Sequence, residues 1–469
     1  MNRRAYKALL LLTAVVCISA AGVMQHLLNG QRKALGITGR EPLKNAPPVL
    51  ALTTQVLGGF RGLIANALWL RATDMQDEGK YFEMVQLADW ITKLEPHFVQ
   101  VWLVQAWNMA YNISVKFSDH ADRWRWVRSG IELLRDEGLR YNPNEPLIYR
   151  ELAWFFQHKM GQNLDDAHVY YKGVWAQEMM EVFGGERPNF ERLITPQTPD
   201  ERRRAELLRD KYKMDASVMR DIDQRYGPLD WRLPEAHAMY WATVGLQHSK
   251  KEELIVLRRV IYQSMNLAFQ RGRLVLSTNA PPRLVPNLEI IDKANQAFLD
   301  QIADDVEKRD AIKRAHKNFL KDVPYQLFIR NRTRDGEQWL RYLREQYPDA
   351  VTNNISLAEY AINRATENVK EQSQVKVVSL IEAFVAQFYF AALEDKPEEA
   401  NEYILRATEL WNAYSQKTKG DQRLAILPIE EMKKLVVQDM LDPERGLPRE
   451  GRDRLRTMLR MPPEAAPTP

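Results

Sequence analysis

The chain has 469 residues, of which 45% are hydrophobic and 27% are charged, enough for two or three domains or one long helical array. Residues 1–44 hold seven Lys/Arg and one acid, so the other 425 residues carry 59 basic and 61 acidic groups. That near-neutral body has no cation surplus for a phosphate backbone, which argues against nucleic acid as a partner. With 21 glycines and abundant Leu, Ala, Glu and Arg, the composition predicts an all-α fold.

An apolar run near the N-terminus predicts attachment to a membrane. Three basic residues precede the run 8–24. As a helix it would span about 25 Å, slightly less than the roughly 30 Å hydrocarbon core of a bilayer. It is either an uncleaved anchor or a signal peptide cleaved at the small residues 19–21. We expect an anchor within 1–35, with the body on the periplasmic or extracytoplasmic side.

The clearest helical pattern lies near the middle of the N-terminal half. Large and small apolar side chains stand at relative positions 0, 3, 4 and 7, which places them on one helix face: Tyr149, Leu152, Ala153 and Phe156. After a break at 161–163, Ala167 and Tyr171 begin a second face. Together these two helices resemble a unit of the tetratricopeptide repeat (TPR) family.

The TPR resemblance covers about residues 65–171 and is weaker over 375–415. Near the start of this range, Gly79 and Tyr81 begin a helix that resembles the second helix of a TPR unit. The helix after it carries Trp102, Ala106 and Met109 at relative positions 0, 4 and 7. The resemblance implies an irregular solenoid of helix hairpins, in which each hairpin covers the apolar face of its neighbour. It also implies that the protein binds other proteins.

Changes in composition and periodicity divide the chain into eight predicted segments. They are the anchor or signal segment 1–35, a spacer 36–49, TPR-like repeats 50–185, a linker or long loop 186–200, a helical region with a degenerate repeat 201–275, a Pro-rich break 276–288, C-terminal helical repeats 289–461 and a disordered tail 462–469. Within them, single helices are expected from Pro199 to about Met219 and over 291–320.

No catalytic signature is evident in the sequence. It has no Gly-rich phosphate loop, paired-histidine zinc helix or nucleophile-elbow serine, and Cys17, its one cysteine, lies in the apolar run. We therefore expect no catalytic residue, no cofactor and no metal. The densest polar cluster is Asp230, Arg232, Glu235 and His237. Helix geometry would place its Glu and His about 200° apart, so a loop-anchoring network with Asp230 bridging to Arg232 is favoured over an enzyme site.

Two tryptophans suggest a binding surface. Trp107 and Trp154 lie five residues after the aligned positions Trp102 and Tyr149. In a TPR this position faces the concave groove, so the resemblance predicts a partner-binding groove, with further core packing as the alternative. By helical register, the remaining lining residues are Tyr111, Arg150 and His158. Such a surface suits an extended segment or a helix of a protein partner.

The favoured function is a membrane-anchored, non-catalytic scaffold for protein–protein interaction in a bacterial-type cell envelope. One alternative is a structural subunit of a large envelope assembly. The other is an envelope enzyme with its site near Asp230 to His237.

Overall fold

The structure is a computed structural model in which the chain forms two compact units, Met1–Val285 and Pro286–Pro469. It describes parts of 12–31, then residues 61–249, 251–276, 283–330, 332–351, 355–366, 371–419, 424–443 and 446–462. Across these ranges the chain is almost entirely helical, so the predicted all-α class is confirmed. The predicted spacer 36–49 and nearly all of the tail 462–469 lie outside the described residues. The boundary between the units falls inside the Pro-rich segment 276–288.

The first unit is built of helices in close succession. From residue 61 onward they are α1 (Arg61–Asp77), α2 (Tyr81–Leu94), α3 (Val99–Trp107), α4 (His120–Glu132), α5 (Pro146–Trp154), α6 (His168–Phe183), α7 (Phe190–Ile194), α8 (Pro199–Glu206), α9 (Ala216–Tyr226), α10 (Pro234–Gln247) and α11 (Lys251–Arg271). Four of them continue directly as wider π-helical segments. These segments are Asn108–Ile113 after α3, Leu133–Gly138 after α4, Phe155–Gly161 after α5 and Leu207–Lys211 after α8.

Consecutive helices from α1 to α6, taken with the π-helical segments that continue them, pack against their neighbours, because each has an apolar face that its neighbour covers. Fully buried side chains such as Ile91, Val101 and Leu152 fill the spaces between them. Helix α10 then packs on α5 and its π-helical segment, and α11 packs on α10. A short antiparallel hairpin follows α11, with β1 (Arg273–Val275) paired to β2 (Arg283–Val285). This hairpin was not predicted from the sequence.

The second unit is also helical. Its described helices are α12 (Ile291–Asp304), α13 (Arg309–Phe328), α14 (Thr333–Gln346), α15 (Leu357–Thr366), α16 (Glu371–Leu393), α17 (Pro397–Lys417), α18 (Ile429–Met440) and α19 (Arg449–Met458). Helix α16 lies at its centre and packs against α15, α17, α18 and α19. Leu380, Ile381 and Phe384 on α16 are fully buried there.

Two predicted helices are broken by turns that the periodicity did not reveal, and a short helix lies within the predicted linker. The helix expected from Pro199 to Met219 is broken near Lys213, whose φ is 53°, and Asp215 caps α9 by accepting from the Ser217 and Val218 N–H groups. The helix expected over 291–320 is broken at Asp305, which accepts from the Lys308 N–H at 3.0 Å. The predicted linker 186–200 contains α7, which Asn189 caps.

Two apolar helices bear on the predicted membrane anchor. Val15–Met24 is a short apolar helix within the run 8–24, and its described residues are exposed. Among the residues that the structure describes, Gln374–Leu393 is long and apolar enough to cross a membrane, with a mean hydropathy of 1.5. It is 44% buried within the second unit, and a core helix satisfies the same test of length and composition. Attachment through the N-terminus therefore stays a prediction.

Candidate functional site

The predicted groove residues lie at matching points of two helices. Trp107 is the last residue of α3 and Trp154 the last residue of α5, and each is followed at once by a π-helical segment. Tyr111 and His158 lie four residues further on, inside those segments. A π-helical turn is wider than an α-helical turn and occurs often at functional sites. Helices α4 and α8 show the same transition, so it is the matching position of the two tryptophans that relates α3 to α5.

Four of the five predicted groove residues form one continuous chain of ring contacts, which we call the aromatic strip. The Trp107 and Tyr111 rings stack with centroids 5.4 Å apart, Tyr111 and His158 lie 5.9 Å apart, and His158 stacks on Trp154 at 4.5 Å. Trp107 is 39% exposed, and the other three are half-buried. The fifth residue, Arg150, donates instead to the adjacent Glu151 at 2.7 Å.

A hydrogen bond between Tyr111 and His158 determines which imidazole nitrogen of His158 carries a proton. The Tyr111 hydroxyl lies 3.1 Å from His158 Nδ1. Burial raises the Tyr111 pKa, and the Glu151 carboxylate adds to that rise. Burial and the Lys159 ammonium lower the pKa of His158, so its imidazole is neutral at pH 7. Among the residues that the structure describes, the Tyr111 phenol has no other acceptor. Its O–H therefore donates to Nδ1, which places the remaining imidazole proton on Nε2.

A cavity of about 330 Å³ opens beside the strip. Its polar lining joins the strip to charged residues: Tyr111, His158, Lys159, Arg123, Asp165 and Asp166. Two apolar side chains, Val115 and Leu164, also line it and are 49% and 69% exposed. The cavity thus has a charged interior and an apolar rim.

A buried ion-pair network holds the charged side of the cavity. Lys159 Nζ lies 2.5 Å from Asp165 Oδ2, with side chains only 4% and 7% exposed, and Arg123 Nη1 lies 3.3 Å from Asp165 Oδ1. The Ala167 N–H and the Tyr171 O–H also donate to Asp165, at 2.9 and 3.3 Å. Burial alone would raise the pKa of Asp165, but the hydrogen bonds from Lys159 and Ala167 outweigh it and hold that pKa below its usual range.

Lys159 is not among the predicted groove residues, although the sequence contains a signal for it. Lys159 lies three residues after Phe156, on the same helix face as the apolar stripe. A lysine on a stripe that faces the core needs a buried anionic partner, because an unpaired buried charge costs several kcal/mol. Arg123 and Asp165, which are 42 residues apart, gave no comparable signal, because only the fold brings them together.

A second polar cluster surrounds Glu235, which is 2% exposed. Neither of its carboxylate oxygens accepts a hydrogen bond from the residues that the structure describes, and the Arg271 guanidinium approaches to 3.9 Å. Lys172 Nζ lies 3.0 Å from His168 Nδ1 and 3.4 Å from Asn163 Oδ1. Burial raises the pKa of Glu235 and lowers that of Lys172 to about 8.

The other residues of the predicted polar cluster serve the fold. Arg232 Nε and Nη2 donate to the two Asp230 carboxylate oxygens at 2.8 Å each, and both side chains bond the backbone of Leu274 in β1. The predicted Asp230–Arg232 bridge is therefore confirmed. His237 Nε2 bonds the Trp231 carbonyl at 2.8 Å, so it faces a different neighbour from Glu235. The two do not meet in one acid–base site.

Within the described ranges, no group of three or more His, Cys, Asp or Glu side chains is arranged to hold a metal ion. Searches of protein-family models and of curated proteins give no match to this sequence.

Proposed function

We propose that this protein is a membrane-anchored, non-catalytic scaffold of the cell envelope that binds a partner protein through the aromatic strip. The observation that carries the proposal is the unbroken contact of four rings from two equivalent helices, with Trp107 39% exposed at one end. Aromatic rings held in place by their neighbours offer a large contact area and lose little conformational entropy on binding.

The packing of consecutive helices from α1 to α6 supports a TPR-like mode of binding, because such arrays present adjacent helices side by side to a ligand. The partner contributes an extended segment or a helix with apolar or aromatic side chains that stack on the strip. The membrane attachment comes from the apolar run 8–24.

A permanent subunit of a large envelope assembly is the second candidate, since an exposed aromatic strip also suits a constitutive interface. The size of the detergent-extracted protein separates the two. After mild washing, a scaffold that recruits partners transiently has a size close to that of the single chain, whereas a permanent subunit remains in a large complex.

Replacing both tryptophans of the strip tests the proposal. The double variant Trp107→Ala plus Trp154→Ala is expected to lose its protein partners in pull-downs from solubilised membranes, measured by quantitative mass spectrometry. Trp90→Ala is the matched control, because Trp90 is also 39% exposed and, among the described residues, has no ring contact with the strip. Retention of the same partners by a folded double variant would contradict the proposed docking surface.

A further inference from the structure

The cavity beside the aromatic strip retains more hydrogen-bond donors than its own protein groups use. Arg123 has five N–H donors. Its Nε donates to the Phe117 carbonyl at 2.6 Å, and its Nη1 contacts the Asp165 and Asp166 carboxylates. Its Nη2 has no acceptor among the described residues, although the side chain is only 13% exposed.

Two further donors line the same cavity. Lys159 Nζ has three N–H groups and one anionic partner, Asp165, while it also lies 4.9 Å from the centre of the Tyr111 ring. His158 accepts from Tyr111 at Nδ1, so its Nε2–H is a donor without a partner in the described residues. Three side chains therefore have unused N–H groups.

The acceptors of the cavity are nearly all in use. Asp165 takes two contacts at each carboxylate oxygen, from Arg123 and Ala167 at Oδ1 and from Lys159 and Tyr171 at Oδ2. Its four lone-pair sites are thus occupied. Asp166 contacts Arg123 through Oδ1, but its side chain is 72% exposed, so solvent screens its charge. The cavity is therefore lined by two cations, Arg123 and Lys159, and two carboxylates, of which only Asp165 is buried.

From this surplus of donors we infer that the cavity binds a small ligand bearing an oxyanion, either a carboxylate or a phosphate. The oxyanion contacts Arg123 Nη2, Lys159 Nζ and His158 Nε2–H, and a short apolar body rests on Val115 and Leu164. The volume of about 330 Å³ suits one small molecule. Tyr111 and His158 belong to both the strip and the cavity lining, whereas Trp107 and Trp154 do not line the cavity.

The test is calorimetric titration of the purified full-length chain in detergent with sodium phosphate and, separately, with sodium acetate. Ionic strength is held constant with sodium chloride. Saturable binding of either probe at one site is expected, and which probe binds distinguishes phosphate-bearing from carboxylate-bearing ligands. Failure of both probes to saturate the folded wild-type chain would overturn the inference.

Two variants tie the binding to the cavity. Val115→Glu puts a negative charge at the exposed rim and is expected to weaken anion binding about fivefold. Leu147→Glu is the matched control, since Leu147 is similarly exposed, at 41%, and does not line the cavity. Equal affinities for these two variants would overturn the assignment.

Discussion

The buried pair of Lys159 and Asp165 gives the sharpest prediction at the scale of single residues. Replacing Asp165 by Asn leaves the Lys159 ammonium, 4% exposed, without its anion. Because breaking a buried ion pair strands the remaining charge, Asp165→Asn should lower the free energy of unfolding by about 3 kcal/mol. Urea denaturation followed by tryptophan fluorescence measures this, since ten of the twelve tryptophans belong to the first unit.

Asp166→Asn is the matched control for that variant. Asp166 also pairs with Arg123, but its side chain is 72% exposed. The exposed pair should contribute less than about 1 kcal/mol. Equal loss of stability in the two variants would show that the buried Lys159–Asp165 pair stabilises the fold no more than the exposed Arg123–Asp166 pair does.

His237 gives a prediction for pH dependence. Burial lowers its pKa to about 4, whereas an unfolded histidine titrates near 6.5. Between those pH values the unfolded chain binds more protons than the folded chain. The free energy of unfolding therefore falls as the pH drops from about 6.5 to 4, and this group accounts for up to about 3 kcal/mol of that fall. His237→Phe should be less stable at pH 7.5, because it loses the bond to Trp231, yet show a shallower decline between pH 7 and 5 in urea midpoints. An unchanged decline would contradict the neutral buried imidazole.

At the scale of helices, the crossing of α5 and α10 depends on a glycine. A Cβ at Gly245 would lie 2.7 Å from the Tyr149 Cβ, too close for ordinary contact. Gly245→Ala must push the two helices apart and should cost about 1–3 kcal/mol. Gly173→Ala, in α6 with no atom within 4 Å of the added Cβ, should instead stabilise by about 0.5–1 kcal/mol. Thermal denaturation of both variants shows whether each substitution lowers or raises the stability. A Gly245→Ala variant with unchanged stability would argue against this close crossing.

Helical periodicity predicts the existence of helices better than it predicts their ends. The apolar stripe of α5 could be read from spacing, because burial of one face repeats every three to four residues. The breaks before Asp215 and at Asp305 could not, since each depends on one carboxylate that bonds a nearby backbone N–H. A single Asp inside a polar helix is too common to mark a break.

At the scale of the whole molecule, the sequence predicted the helical class, because composition and repeated spacing both indicate it. The partner-binding groove at Trp107 and Trp154 stays a prediction of the TPR resemblance. The sequence did not predict the cavity. Arg123 reaches Asp165 from a helix 42 residues away, and that approach depends on how α4 packs beside α6. Long-range pairing of charged side chains leaves no local pattern in a single sequence.

Membrane attachment is a further prediction at this scale. If the run 8–24 is an uncleaved anchor, the full chain should stay with membranes after alkaline carbonate washing, because about 20 apolar residues hold a helix in a bilayer. A chain lacking residues 1–35 should become soluble. Release of the full chain by carbonate, or a mature N-terminus after residue 21, would instead indicate a cleaved signal peptide.

The central claim is that the aromatic strip contacts a protein partner, and site-specific photo-crosslinking in intact cells tests it most directly. A photoreactive amino acid is placed at Trp107 in one strain and at Trp90 in another, where the exposed fraction is the same 39%. The account predicts a discrete crosslinked partner from position 107 that is absent from position 90 and is lost when Trp154→Ala is added. No adduct from position 107, or the same adducts from both positions, would contradict it.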